Sequence, residues 1–290
     1  MDFVKMQGLG NDFILVDCLE SGLKPEDIQP RAVSLCDRRF GIGSDGLVLV
    51  CAPNTRDADL RMVFYNPDSS EGMCGNGLRC FAKYAYESGR LPRDQFRIET
   101  IGGIVDVALE IEVGRGEDFG KALGVVHAVR VDMGPPRLSR QQIPMLGLPS
   151  ERVVDEILAV GDQEFRVTCV SMGNPHCVVF VDSVFDVPVE SWGPQIEHHP
   201  VFPERTNVEF AQVLAPDRLK VRVWERGAGI TLACGTGACA SVVAGSLAGR
   251  SDRKATVELP GGSLSIEWTE NDHVLMTGPA ETVFSGTIGL

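Results

Sequence analysis

Two short runs in this chain carry residue types suited to proton transfer: Cys74, Gly75, Asn76, Gly77 and, further on, Cys234, Gly235, Thr236, Gly237. A Cys-Gly-x-Gly run where a helix begins sets a thiol beside backbone N–H groups that lack an intrahelical acceptor, at the positive end of the helix dipole. The glycines let a ligand approach the backbone closely. Such a place favours a thiolate and binds a carboxylate. Taken singly, either run reads as a structural cysteine beside a tight turn. The pair reads differently. With two copies facing each other about a pseudo-twofold axis, one thiol removes an α-proton from one face of a carbon and the other delivers a proton to the opposite face, which is inversion of a stereocentre. The converging N–H groups would stabilise the charge that develops on the substrate carboxylate.

The elements that must position these thiols repeat with them. The two motifs stand 160 residues apart, and the same offset pairs Val63 with Val223, Gly89 with Gly249 and Arg90 with Arg250. ETIGG (99–103) answers ELPGG (258–262), GND (10–12) answers GNP (173–175), and MGPP (133–136) answers TGPA (277–280), all in order. The chain therefore reads as two copies of one unit, divided as 1–128, completed by 277–290, and 129–276. Short apolar runs such as 13–17, 47–50, 60–65 and 96–100 predict strands. One long helix opens just after each Cys-Gly-x-Gly. In the first, Leu78, Phe81, Ala82 and Ala85 fall on one face; the second, 238–248, is uncharged all round and should be enclosed by its sheet. Many strands and few helices predict an α+β architecture. Residues 111–125 and 136–152 read as loops.

The flanking residues NPDSSEGMCGNGLRC (66–80), MGNPHCVVF (172–180), NVEF (207–210) and WERGAGITLACGTGACAS (224–241), with GLGNDF near the start, closely resemble diaminopimelate epimerase. The resemblance runs in order over nearly the whole chain. It implies two similar domains from an internal duplication, each a mostly antiparallel sheet wrapped around a central helix, with the active site in the cleft between them. It also implies cofactor-independent interconversion of LL- and meso-diaminopimelate in lysine and peptidoglycan precursor synthesis. By motif, Cys74 is the proton donor and Cys234 the base in the LL-to-meso direction, and Gly75, Asn76, Gly235 and Thr236 hold the reacting carboxylate. Asn11, Asn66, Asn174, Asn207, Glu225 and Arg226 surround the substrate. Where some members have a substrate-contacting glutamine, this chain has Gly46.

The residue types suit those roles. A guanidinium at Arg226 can fork onto a distal carboxylate, and Asn66, Asn174 and Asn207 offer donors and acceptors for the centre that keeps its configuration. Asn66 and Asn174 also precede proline, so each reads equally as a turn former. His176 and Glu225 are candidates for tuning the charge state of a cysteine. Two other readings keep part of this pattern. A proline or hydroxyproline racemase would share the duplicated fold without a second charged end to recognise. A non-catalytic thiol redox protein would need no carboxylate-binding set. A Cys-His hydrolase built on Cys234 and His176 leaves Cys74 unused.

Composition sets the outer limits. The 290 residues carry 27 basic and 40 acidic side chains, a net charge of −13, which disfavours nucleic acid and anionic membrane as partners. The expected partners are a small-molecule substrate and a second copy of the chain in a homodimer. Mean hydropathy is +0.02, that of a globular protein. The segment MDFVKMQGLGND resembles neither a secretory nor a transit signal, and the nine cysteines form no C-x-x-C, so reduced thiols and a cytoplasmic location are expected. No metal or cofactor is expected. The GIGSDG run (41–46) precedes a strand, whereas a dinucleotide fold needs a strand before it and a helix after it.

Overall fold

The computed structural model of the chain describes residues 1–112 and 124–289. It divides into two compact units, Met1–Asp132 with Thr277–Leu290, and Met133–Met276. The chain passes from one unit to the other at the two echoing segments that begin MGPP and TGPA.

In the first unit, neighbouring strands run in the order Glu281–Thr287, Asp2–Gly8, Asn11–Asp17, Gly46–Cys51, Leu60–Tyr65, Gln95–Thr100, Gly103–Glu112, Val125–Asp132. Asn11–Asp17 lies parallel to Gly46–Cys51, and Leu60–Tyr65 parallel to Gln95–Thr100; the other neighbours are antiparallel. The second unit repeats the scheme through Glu156–Val160, Gln163–Ser171, Pro175–Phe180, Asn207–Ala215, Arg218–Glu225, Lys254–Leu259 and Gly262–Trp268. Its parallel neighbours, Pro175–Phe180 with Asn207–Ala215 and Arg218–Glu225 with Lys254–Leu259, fall at the equivalent places. Each unit is thus a mostly antiparallel sheet around one central helix, as expected.

The strands 11–17 and 46–51 are apolar on both faces because both are covered. Ile14, Val16, Leu47 and Leu49 pack outward with Ile28, Ala32 and Leu35 from short flanking helices. On the inner face, a Cβ added at Gly77 would meet Phe13 and Val48, which places the start of the first central helix, Gly75–Glu87, directly on the sheet. That helix touches strands from Asp2–Gly8 round to Val125–Asp132. Its apolar face is buried, and so are Arg79 and Lys83, which the single-face pattern does not predict. A helix wrapped this far has little solvent side, so its buried cations need internal acceptors. Arg79 Nε donates to Pro279 O at 3.0 Å, and Lys83 Nζ to Val126 O at 2.6 Å.

The second central helix, Gly235–Leu247, is buried from Gly235 to Gly245 apart from partly buried Thr236. No helix among the described residues is long and apolar enough to cross a membrane. The loop expected at 111–125 is corrected at its ends: Ile111 and Glu112 finish one strand and Val125 opens the next, paired with each other in an antiparallel ladder. Residues 113–123 lie outside the described residues. Residues 136–152 are irregular, with one short turn of helix at Arg140–Gln142.

Candidate active site

Each candidate thiol caps its central helix. Cys74 has φ −139° and ψ 115° and accepts the N–H of Gly77 at 3.5 Å. Cys234 has φ −120° and ψ 110° and accepts the N–H of Gly237 at 3.4 Å. An extended residue followed by helix is the N-cap geometry, here with sulfur in place of the usual oxygen. The N–H groups of Gly75 and Asn76, and of Gly235 and Thr236, come before any intrahelical acceptor, at the positive end of each central helix.

In the first unit, Cys74 is half-buried and its thiol donates to Asn11 Oδ1 at 3.6 Å, an oxygen that also accepts from Asn76 Nδ2 at 3.2 Å. Asn11 opens its strand, and its other amide atom donates to Asp45 Oδ2 at 2.7 Å. The GIGSDG loop is therefore a brace for Asn11. Arg38 joins Asp45 and Asp12 at 2.7 and 2.6 Å, and Lys5 pairs with Asp12. Burial pushes the Asp12 carboxyl up, but hydrogen bonds from Arg38 and Lys5 outweigh it and hold the group down at about 2. Asn66 is spent on its own turn: its amide donates to Ser70 Oγ at 3.0 Å and lies against Gly72. A Cβ at Gly46 would fall 2.5 Å from the Phe64 ring and 2.8 Å from Tyr65 O. With this backbone and ring placement the position leaves no room for a side chain.

In the second unit, Cys234 is buried among acids. Burial, then the Glu225 and Glu209 carboxylates, push its thiol well above the usual range, against the opposing hydrogen bonds from Thr236 and Gly237. Its Sγ lies 3.5 Å from Thr236 Oγ1. Glu225 is a charged neighbour of the Cys234 thiol and accepts from Thr231 Oγ1 at 2.6 Å; burial raises its own carboxyl. His176 is fully buried, with Nδ1 2.7 Å from Glu209 Oε1 and Nε2 3.0 Å from Asn174 Oδ1. Asn174 Nδ2 then donates to Thr236 Oγ1 at 3.3 Å.

Asn207 accepts the N–H of Arg226 at 2.9 Å and donates to Pro175 O at 2.8 Å, locking two loops together. The Arg226 guanidinium is exposed and donates to Glu204 O at 3.0 Å. A buried carboxylate, Glu197, holds the loop that carries it by accepting from Trp224 Nε1 at 2.7 Å and Gly227 N at 3.0 Å.

The structure thus gathers Asn11 and Asn76 at Cys74, and Asn174, His176, Glu225 and Thr236 at Cys234. Asn207 and Arg226 share one loop junction, while Asn66 stays in its own turn. The sequence reading missed Asp45, Glu197 and Glu209. For Glu209 a signal existed: it is the one charge in its strand, with Val208, Phe210 and Ala211 around it all buried. Among the described residues no cluster of three or more His, Cys, Asp or Glu side chains is arranged to hold a metal ion.

Comparison with known proteins adds a family to this geometry. The family model described as diaminopimelate epimerase matches residues 3–138 and 168–283. The chain is 55% identical over 287 residues to the diaminopimelate epimerase of Pelotomaculum thermopropionicum, covering 99% of this chain and 98% of that one. It is 54% identical to that of Moorella thermoacetica, with both chains covered completely. Among solved structures it resembles a Bacillus anthracis phenazine biosynthesis protein of the PhzF family, with TM-score 0.68, 16% identity, and 100% and 99% of the two chains covered. A hydroxyproline epimerase from Agrobacterium vitis gives TM-score 0.68 at 15% identity, covering 99% of this chain and 90% of that one. At those identities the likeness is one of fold.

Proposed function

We propose a mechanism from one premise: the chain belongs to the diaminopimelate epimerase family and is an isomerase that epimerises diaminopimelate. Inversion of the LL to the meso form runs through two thiols. Cys234 takes the α-proton of the LL isomer, and Cys74 delivers a solvent-derived proton to the opposite face; in the reverse direction they exchange roles. This requires both sulfurs to address one α-carbon. The observation that carries the reading is that each unit sets a cysteine, and only one, at the cap of its central helix with matched backbone geometry.

The surroundings support distinct roles. As a neutral buried thiol, Cys234 must lose its proton before it can act as a base, and Glu225, the neighbouring carboxyl and itself raised by burial, is the local acceptor. The N–H groups of Gly75, Asn76, Gly235 and Thr236 hold the reacting carboxylate, whose charge grows as the α-proton leaves. Each well-aimed donor of this kind is worth roughly 3–4 kcal/mol. Arg226 forks onto the distal carboxylate, and Asn11, Asn174 and Asn207 orient the ends of the substrate, while Asn66 shapes the turn before Cys74. His176 tunes Cys234 from behind. No added cofactor or metal enters the scheme.

The partner is then a small zwitterionic molecule. The net charge of −13 argues against a polyanionic partner, and nine free thiols fit a reducing cytoplasm. A homodimer is the assembly proposed. The experiment is incubation of the purified protein with LL-diaminopimelate, without added cofactor, followed by resolution of the stereoisomers. Formation of the meso isomer is expected, with none from Cys74→Ala or Cys234→Ala. A single alanine variant that epimerises at near wild-type rate would refute the two-thiol scheme.

A further inference from the structure

Glu209 has no assigned role, yet it is fully buried, and a buried carboxylate persists only when its charge is met. It projects from the strand Asn207–Ala215, whose residue Asn207 is the register partner of His176 on Pro175–Phe180. Its Oε1 is met from two sides. His176 Nδ1 lies 2.7 Å away, and the central helix presses from the other side, since a Cβ at Gly237 would fall 2.7 Å from Oε1 and 3.3 Å from Cys234 Sγ. A glycine there lets the positive end of the helix sit directly on the carboxylate.

A carboxylate oxygen and an amide oxygen both only accept, so Nδ1 of His176 carries a proton toward Glu209 and Nε2 carries one toward Asn174 Oδ1. That assignment fixes the ring and points Nε2 at Asn174, whose amide reaches Thr236, whose hydroxyl reaches Cys234. The charged and titratable groups facing Glu209 are His176 on the neighbouring strand, Cys177 beside it, Glu225 at the end of Arg218–Glu225 and Cys234 at the helix cap. We infer that Glu209 is a positioning residue of the reaction: by holding the Nδ1–H of His176 it orients, through Asn174 and Thr236, the side chains behind Cys234. The inference rests on the reading of Cys234 as a proton-transfer group.

The test is Glu209→Gln, which keeps the shape and an accepting oxygen but removes the charge. Expected is a loss of about 10- to 100-fold in kcat with KM changed less than about 3-fold, below the 10²–10⁴ that a proton-transfer group itself contributes. The pH midpoint for alkylation of Cys234 by a small reagent should move down, because an adjacent negative charge is gone, while that of Cys74 stays in place. Adding Glu209→Gln to His176→Asn should cost less than about 2-fold more, as for two members of one unit.

Unchanged kcat and an unchanged Cys234 midpoint would overturn the inference, as would equal shifts at both cysteines, which mark a general structural role. In the wild-type protein, ¹⁵N spectra of labelled histidine should show His176 Nδ1 protonated, a result that does not depend on any variant folding; an unprotonated Nδ1 overturns the inference. The Cys234→Ala control separates the two readings. Near wild-type turnover there refutes the thiol mechanism itself, whereas an inactive control with a silent Glu209→Gln refutes only the role of Glu209.

Discussion

The two capping cysteines share a backbone but not a chemistry. Cys74 is half-buried and faces an amide, Asn11, braced by an Asp45–Arg38–Asp12–Lys5 network that reaches the surface. Cys234 is buried and faces two carboxylates and an imidazole–amide relay. Duplication preserved what the sheet and helix require, namely strand order, a cap and the glycines after it. The side chains behind each thiol answer to a different demand, so they diverged. A half-exposed thiol beside an amide exchanges readily with solvent, whereas a buried thiol among acids holds its proton until a neighbour removes it.

The largest expected effect breaks the comparison from both ends. Cys74→Ala and Cys234→Ala should each abolish epimerisation in both directions, a loss of at least about 10³-fold given what a proton-transfer group contributes, measured by stereoisomer-resolved assay. Next is Arg226→Leu. The side chain is exposed, so the fold should survive with an unchanged Tm. Loss of a charge-paired contact to the distal carboxylate should cost about 2–5 kcal/mol, or roughly 30-fold to several thousand-fold in kcat/KM. A normal kcat/KM for diaminopimelate would remove the assigned role.

A smaller effect sharpens the contrast between the thiols. Without substrate at about pH 8, Cys74 should be alkylated at least about 10-fold faster than Cys234, because the thiolate is the reacting form and burial among acids suppresses it at Cys234. Peptide mapping of the partly modified protein gives the ratio, and equal rates would contradict the asymmetry.

The smallest effect concerns the brace behind Asn11. The Asp12 carboxyl is held at about 2 against an ordinary 3.8. A depressed carboxyl contributes stability that is fully present above 3.8 and is lost as the pH falls through about 2. Asp12→Asn should therefore cost about 1 kcal/mol near neutrality, allowing for partial solvent screening. The difference from wild type should vanish toward pH 2 in denaturant titrations. A pH-independent difference would mean that the charge is not what Asp12 supplies.

The strands at 13–17, 47–50, 60–65 and 96–100, the two central helices and the capping thiols were all legible in the sequence. Each is written in a few consecutive residues, through apolar periodicity or the chemistry of a helix cap. The duplication was legible for the same reason, since two copies of a local pattern align with each other.

Tertiary structure decided which polar groups meet. Asn66 and Asn174 both precede proline and look alike in sequence, yet Asn66 closes its own turn while Asn174 links His176 to Thr236. Glu209 finds His176 across 33 residues, and Asp45 finds Asn11 across 34, because parallel strands bring them side by side. Arg79 and Lys83 are buried because the sheet reaches around most of their helix. A local pattern states how a segment folds; the partner of a buried charge depends on strand register and enclosure, which exist only once distant segments have paired.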